Sequence, residues 1–322
     1  LNKLLLKTIL YEYCLTIFSL LFYNYNKSQR KKGPSMIGFI GLGIMGSRMA
    51  ENLLDKGYKL VVHNRTKEKA ARLLEKGAKW ANSPKEIAQQ ADIIFTMLAN
   101  PHAVEVVALG EHGFLHDFTE GKLWVDCSTV DPSFTRKMAE ESAKRGIRFL
   151  DAPVAGSKIP AEKGELVFFV GGKKEDLEEV RPMLNAMGKA IQHQGENGKG
   201  TSMKLVVNLM LAQSMAAFAE AITLGEALGL DKETVVNTLL NGPTTAPFLN
   251  GKKEKILRND FATEFPLEHM QKDLQLVSQS AYENNVSLPI ANVTKEIYSL
   301  AKQHGLHKED FSVIYQFLSA KR

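Results

Sequence analysis

Cysteine is nearly missing from this sequence, and the two present, Cys14 and Cys127, lie far apart in unlike surroundings. Such a pair builds neither a disulfide framework nor a thiolate metal cluster, and a reducing compartment is the expected setting. The eight histidines show no metal-ligand spacing. An excess of either sign of charge is missing from the body of the chain. The formal net charge is +5, but residues 1–35 hold six basic residues (Lys3, Lys7, Lys27, Arg30, Lys31, Lys32) against one acid, Glu12. The remainder carries 35 basic and 35 acidic residues. A neutral body excludes broad electrostatic capture of DNA or RNA. Internal repeats and low-complexity tracts are also absent.

The first 35 residues look foreign to the rest of the chain. They open on Leu1, and their best apolar run, residues 13–23, is about half the ~20 residues a membrane span needs. A basic start before a run of that length suits a signal peptide. However, residues 27–32 are basic where a small-residue cleavage site would stand. A basic-flanked anchor is the weaker alternative. The expectation is a true start at Met36, with residues 1–35 an extraneous or targeting extension. The expected location is cytoplasmic, an organellar or anchored form depending on that extension.

What is present from Met36 onward is an alternation. Short β-branched or aromatic runs at 37–40, 60–63, 93–97, 123–127, 148–152 and 166–171 predict strands. Helical patterns fall at 47–56, 67–76, 84–90, 133–145 and 175–187. Strands separated by helices of this length predict βαβ units and a doubly wound, mainly parallel α/β sheet of the Rossmann kind. After Gly198 strand signals cease. Helices are predicted at 201–228, 231–240, 267–284, 289–304 and 311–320, the first rich in Ala, Leu and Met. The expected organisation is a dinucleotide-binding domain over 36–198 and an all-α domain over 199–322, joined by a long interdomain helix.

Gly41-Leu42-Gly43-Ile44-Met45-Gly46 follows the first strand and opens the first helix. Gly41 permits the tight turn, Gly43 lets the backbone approach a pyrophosphate, and Gly46 lets helix and strand pack closely. The amides and dipole of the helix then face the phosphate charge. An NAD-preferring site would place a carboxylate at the end of the second strand. Here the sequence reads His63-Asn64-Arg65-Thr66. Arg65 suits a 2′-phosphate, with Asn64 and Thr66 as neutral donors, so NADPH is expected in preference to NADH. Thr66 could equally cap the next helix, and Arg65 could be a solvated surface charge. Met97 and Leu98, at the end of the third strand, complete the expected cofactor set.

The stretch from Phe39 to Asn52, FIGLGIMGSRMAEN, resembles the N-terminal motif of the 3-hydroxyisobutyrate (β-hydroxyacid) dehydrogenase family. Three further stretches match in order: Asp126-Cys-Ser-Thr-Val-Asp-Pro132, Asp151-Ala-Pro-Val-Ala-Gly-Ser-Lys158, and Gly198-Lys-Gly-Thr-Ser-Met-Lys204-Leu-Val-Val-Asn208. A fourth, Phe265-Pro-Leu-Glu-His-Met-Gln-Lys-Asp273, is most similar to the branch that reduces glyoxylate and succinic semialdehyde with NADPH. The resemblance implies that Lys204 is the catalytic lysine, with Asn208 one turn later on the same face. It implies substrate contacts for Ser128, Thr129, Gly156, Phe265 and Asp273, and cofactor contacts for Thr129 and Lys272. Where the family usually has Ser, this chain has Ala155, so a hydroxyl is missing beside Gly156.

Reduction of an aldehyde needs a hydride, a proton and support for the developing alkoxide. An ammonium on a helix polarises the carbonyl and delivers the proton, and burial lowers its pKa toward the range of a general acid. The rival reading is a lysine snorkelling from an amphipathic helix. Asn208 either orients Lys204 or serves the interdomain backbone. Ser128 and Thr129 could cap the helix near Ser133, and Asp273 could pair with Lys204 or cap local structure. The resemblance thus implies an NADPH-dependent reductase of small aldehyde-acids, working as a homodimer or homotetramer. 3-Hydroxyisobutyrate dehydrogenase and tartronate semialdehyde reductase are the alternatives, and a non-catalytic cofactor-binding scaffold is the reading from another class. No nucleic-acid partner is expected, and no membrane for the folded body.

Overall fold

The computed structural model describes residues 36–320, and the expectations for residues 1–35 lie outside them. Strand β1 (Ile37–Ile40) is buried on both faces, as the unbroken apolar run IGFI requires of a central parallel strand. It pairs in parallel with β2 (Leu60–His63) on one side and β4 (Ile93–Thr96) on the other. Beyond β2 lies β3 (Lys79–Trp80), and beyond β4 come β5 (Leu123–Asp126) and β6 (Arg148–Asp151), all parallel. The order β3-β2-β1-β4-β5-β6 reverses between β1 and β4. Open α/β sheets bind ligands beyond the carboxyl ends of their strands at such a point.

Helices α1 (Ile44–Asp55), α2 (Ala71–Glu75), α3 (Pro84–Gln90), α4 (Pro101–Leu109) and α5 (Pro132–Ala143) connect these strands. Three of them start on proline behind a side-chain cap. Ser83, Asn100 and Asp131 accept the amides of Glu86, Ala103 and Phe134. One apolar cluster joins Ile37, Phe39, Met49 and Leu53, and another joins Ile40, Ile87, Val104 and Met138. The sheet is thereby covered on both faces.

The mainly parallel expectation holds through β6 and changes at the edge. After β7 (Val154–Ala155) and α6 (Lys158–Glu162), β8 (Leu166–Gly171) runs antiparallel to β6 and β7. Helix α7 (Lys174–Met187) then leads to β9 (Gly188–Gly195), parallel to β8. Strands β3 and β7 are two residues each, too short for any periodicity, and β9 is largely polar. Helix α4 was not expected from its β-branched VEVVAL run, which favours strands. Residues 67–76 were expected as one helix, but a 3₁₀ turn precedes α2 there.

Helix α8 (Lys199–Ala227) is 29 residues long. By length and composition alone it could cross a membrane. In the fold it packs on β8 and β9 near its start, then on α11 (Leu267–Glu283), α12 (Pro289–Gln303) and α13 (Ile314–Ser319). Met215, Phe218 and Ile222 of α8 join Met270 and Tyr298 in a separate all-helical core. Helix α9 (Lys232–Asn241), a 3₁₀ turn at Pro247–Lys252 and α10 (Lys253–Arg258) complete it; the last two were not expected. Asp151, at the end of β6, fixes where α8 begins. Its two carboxylate oxygens accept the amides of Gly198 and Thr201, each at 2.9 Å.

Candidate active site

The glycine turn lies at the switch point between β1 and β4. Gly41 has φ +99°, and a Cβ there would collide with the Met97 carbonyl; one on Gly46 would collide with the Gly41 carbonyl. Above Gly43 nothing lies within 4 Å, so the backbone is open to close approach. Helix α1 begins after Gly43 with no side-chain cap and no acid in its first turn. Free first-turn amides and a positive dipole end make this a fitting cradle for a pyrophosphate.

Two cavities meet at this turn. One is lined by Gly41, Gly43, Asn64, Arg65, Thr66, Met97 and Leu98, together with His63, Lys69, His102 and His112. Asn64 does less free donation than expected. Its Oδ1 accepts the Leu42 amide at 3.0 Å and its Nδ2 donates to the Thr66 carbonyl at 2.9 Å. It therefore ties the end of β2 to the glycine turn. Thr66 makes no side-chain cap, which leaves its hydroxyl to the cavity.

The other cavity is lined by Gly43, Ile44, Met45 and Gly46 on one side and by Lys204, Asn208, Phe265, Lys272 and Asp273 on the other. Met97, Leu98, Thr129 and Gly156 also border it. Lys204 is buried, and its Nζ donates to Asn208 Oδ1 at 2.8 Å. Asn208 Nδ2 in turn donates to Asp273 Oδ2 at 2.6 Å. Asp273 thus follows neither of the two readings open to it from sequence, direct pairing with Lys204 or a local cap; its contact is a relay through the Asn208 amide. Burial pushes the Lys204 pKa down to about 8; the Asp273 charge opposes that shift and the Lys272 charge assists it. Lys272 Nζ lies 2.8 Å from Asp273 Oδ1 and donates to the Thr129 carbonyl at 2.7 Å, joining α11 to the loop after β5.

Two of the expected site residues are not on the cavity walls. Ser128 is buried, and its hydroxyl accepts the Leu98 amide at 2.9 Å, so it shapes the wall from behind. Leu42 is buried in the core beneath the turn, and its amide is taken by Asn64. Neither Ser128 nor Thr129 caps α5, since Asp131 does. Sequence reasoning missed Ala99, Val154, Ser157, Glu264, Pro266 and His269 on the cavity that holds Lys204. His269 was within reach, because His269, Lys272 and Asp273 recur at one helical face. Its pKa is lowered by burial and by the Lys272 charge, against the opposing Asp273 and Glu268 charges. Ser157 precedes α6 without capping it, so its hydroxyl is free for the cavity.

A dinucleotide cradle that opens onto a buried lysine defines an NAD(P)-dependent oxidoreductase. Residues 36–195 match the model of the NAD binding domain of 6-phosphogluconate dehydrogenase. Residues 198–318 match the model described as NAD-binding of NADP-dependent 3-hydroxyisobutyrate dehydrogenase. Glyoxylate/succinic semialdehyde reductase 2, chloroplastic, of Arabidopsis thaliana is 41% identical over 290 residues, which cover 90% of this chain and 81% of that protein. Among solved structures, 3-hydroxyisobutyrate dehydrogenase of Mycobacterium tuberculosis with L-serine superposes with TM-score 0.80 at 28% identity, covering 89% of this chain and 99% of that one. Psf3 in complex with NADP+ and 2-OPP gives TM-score 0.81 at 26% identity, covering 88% and 100%. The chain belongs to the β-hydroxyacid dehydrogenase family related to 3-hydroxyisobutyrate dehydrogenase, and both matched models are nicotinamide-dinucleotide-binding domains.

Proposed function

We propose that this protein reduces small aldehyde-acids, with glyoxylate and succinic semialdehyde as reference substrates, and that Lys204 donates the proton. The observation that carries the reading is the buried relay Lys204–Asn208–Asp273, which borders the same cavity as the glycine turn. NADPH, when bound, supplies the hydride. Gly43 and the first turn of α1 hold its pyrophosphate, and Arg65 with Lys69 receives the 2′-phosphate. Lys204, held by Asn208, points its ammonium at the substrate carbonyl oxygen and supports the alkoxide as it forms. A pKa near 8 keeps a proton on Lys204 at pH 7 yet lets it leave readily. Backbone at Gly156 receives the substrate carboxylate, and Ser157 supplies the hydroxyl that Ala155 lacks.

The test is loss of NADPH absorbance with glyoxylate and succinic semialdehyde, repeated with NADH and with Arg65→Asp. Turnover should favour NADPH in the unaltered protein and shift toward NADH in Arg65→Asp. NADPH binding without turnover of any short aldehyde-acid would favour the scaffold reading instead. Faster reduction of tartronate semialdehyde, or faster reduction of NADP+ by 3-hydroxyisobutyrate, would select those members of the same class. For location, the Arabidopsis relative is named chloroplastic. A reporter fused after residues 1–35 separates an organellar address from the cytoplasmic one. Exposed apolar residues on α8 and α12, among them Met210, Leu224, Ile290 and Val293, favour a homo-oligomer.

A further inference from the structure

The segment that carries Phe265 to the cavity, residues 260–266, has no helix of its own. A distant stretch holds it instead. Asp310 Oδ2 accepts the Phe265 amide at 3.1 Å and the Glu264 amide at 3.3 Å. The Phe311 amide donates to the Phe265 carbonyl at 2.9 Å, and the Leu267 amide to the Glu309 carbonyl at 2.8 Å. Pro266 and Asp310 form an antiparallel bridge. Phe265 and Phe311 have ring centroids 5.5 Å apart.

Asp310 is fully buried, and its charge is balanced locally. Lys252 Nζ lies 2.9 Å from Oδ1 and 3.0 Å from Oδ2, and the Ser312 hydroxyl donates to Oδ1 at 2.6 Å. Lys252 also reaches Glu264, at 3.4 Å. Glu264, Phe265 and Pro266 border the cavity with Lys204, whereas Asp310 and Lys252 do not. Ring packing alone would let Phe265 slide. A carboxylate accepting two successive amides fixes the backbone from which the ring projects, and its removal leaves buried donors unpaired.

We infer that Asp310, held by Lys252, is a positioning residue that sets Phe265 against the substrate. The inference rests on reading this cavity as the aldehyde-acid site. Asparagine at 310 offers one oxygen where two are used and strands the Lys252 charge. Asp310→Asn should raise KM for succinic semialdehyde about tenfold, with kcat and NADPH affinity changed by less than about threefold. Because Asp310 acts through Phe265, the double variant with Phe265→Ala should be no worse than Phe265→Ala alone. Additive losses, or an unchanged KM in Asp310→Asn, overturn the inference.

If Phe265→Ala itself leaves KM unaltered, or the unaltered protein turns over neither substrate, the cavity reading fails. Hydrogen exchange then judges the positioning role by itself. The Glu264 and Phe265 amides should exchange about tenfold faster in Asp310→Asn while those of α8 keep their protection. Equal protection at Glu264 and Phe265 overturns it. Should Asp310→Asn not fold, the charge-balanced pair Asp310→Asn with Lys252→Met carries the same measurements.

Discussion

At the scale of single residues, the site depends on what burial does to one amine. Lys204 loses hydration, which lowers its pKa to about 8, while Asp273 acts on it through Asn208 and holds the shift in check. Reduction consumes the protonated amine, so kcat/KM for the aldehyde should be flat below pH 7 and fall as pH rises through about 8. Oxidation of the hydroxyacid needs the neutral amine and should rise over the same range. Lys204→Ala should cost on the order of 10³-fold in kcat/KM and abolish that limb. Stopped-flow rates from pH 6 to 10 check both points; a variant retaining more than about a tenth of the rate would remove Lys204 from the chemistry.

At the scale of elements, the start of α8 matters more than its length. Its first turn runs into the ends of β6 and β8, and Asp151 accepts the Gly198 and Thr201 amides there. Lys204 sits one turn further on, so this cap sets how far the lysine reaches. Asp151→Ala would leave two buried amides without an acceptor, at about 1–3 kcal/mol each. Urea denaturation should show a loss of about 2–5 kcal/mol with little change in slope; a loss below about 0.5 kcal/mol would mean other contacts hold the helix start. Helix α11 shows the complementary case. Its register places His269, Lys272 and Asp273 on one face, a pattern readable in the order of the residues alone.

At the scale of the whole molecule, the dinucleotide cradle and the lysine come from the two halves of the chain, and the loop after β5 meets α11 through the Lys272–Thr129 bond. The outer surface carries a second message. Val206, Met210 and Leu224 on α8 are more than half exposed, as are Ile290 and Val293 on α12. Isolated exposed apolar groups are ordinary, but this many on adjacent helices suits a self-complementary contact. Light scattering should give at least twice the chain mass of 35.8 kDa, and Met210→Asp should lower it. A monomer at micromolar concentration would remove the homo-oligomer from the account.

By itself the sequence determined the local elements that carry strong periodicity or caps. These include β1 and its glycine turn, the proline-started α3, the long apolar α8, and the one-sided α11. It also marked Arg65, because a glycine cradle and a missing carboxylate are chemical statements legible along the chain, whereas Lys204 and Asn208 were marked by the family resemblance. Only the tertiary structure decided that Ser128 turns inward to the Leu98 amide and that Asp273 reaches Lys204 through Asn208. It alone revealed that a carboxylate near the end of the chain holds Phe265 in place. Those facts depend on contacts between residues up to 65 positions apart. Short strands such as β3 and β7 escaped for the same reason, since partners across the sheet create them and no pattern within two residues could.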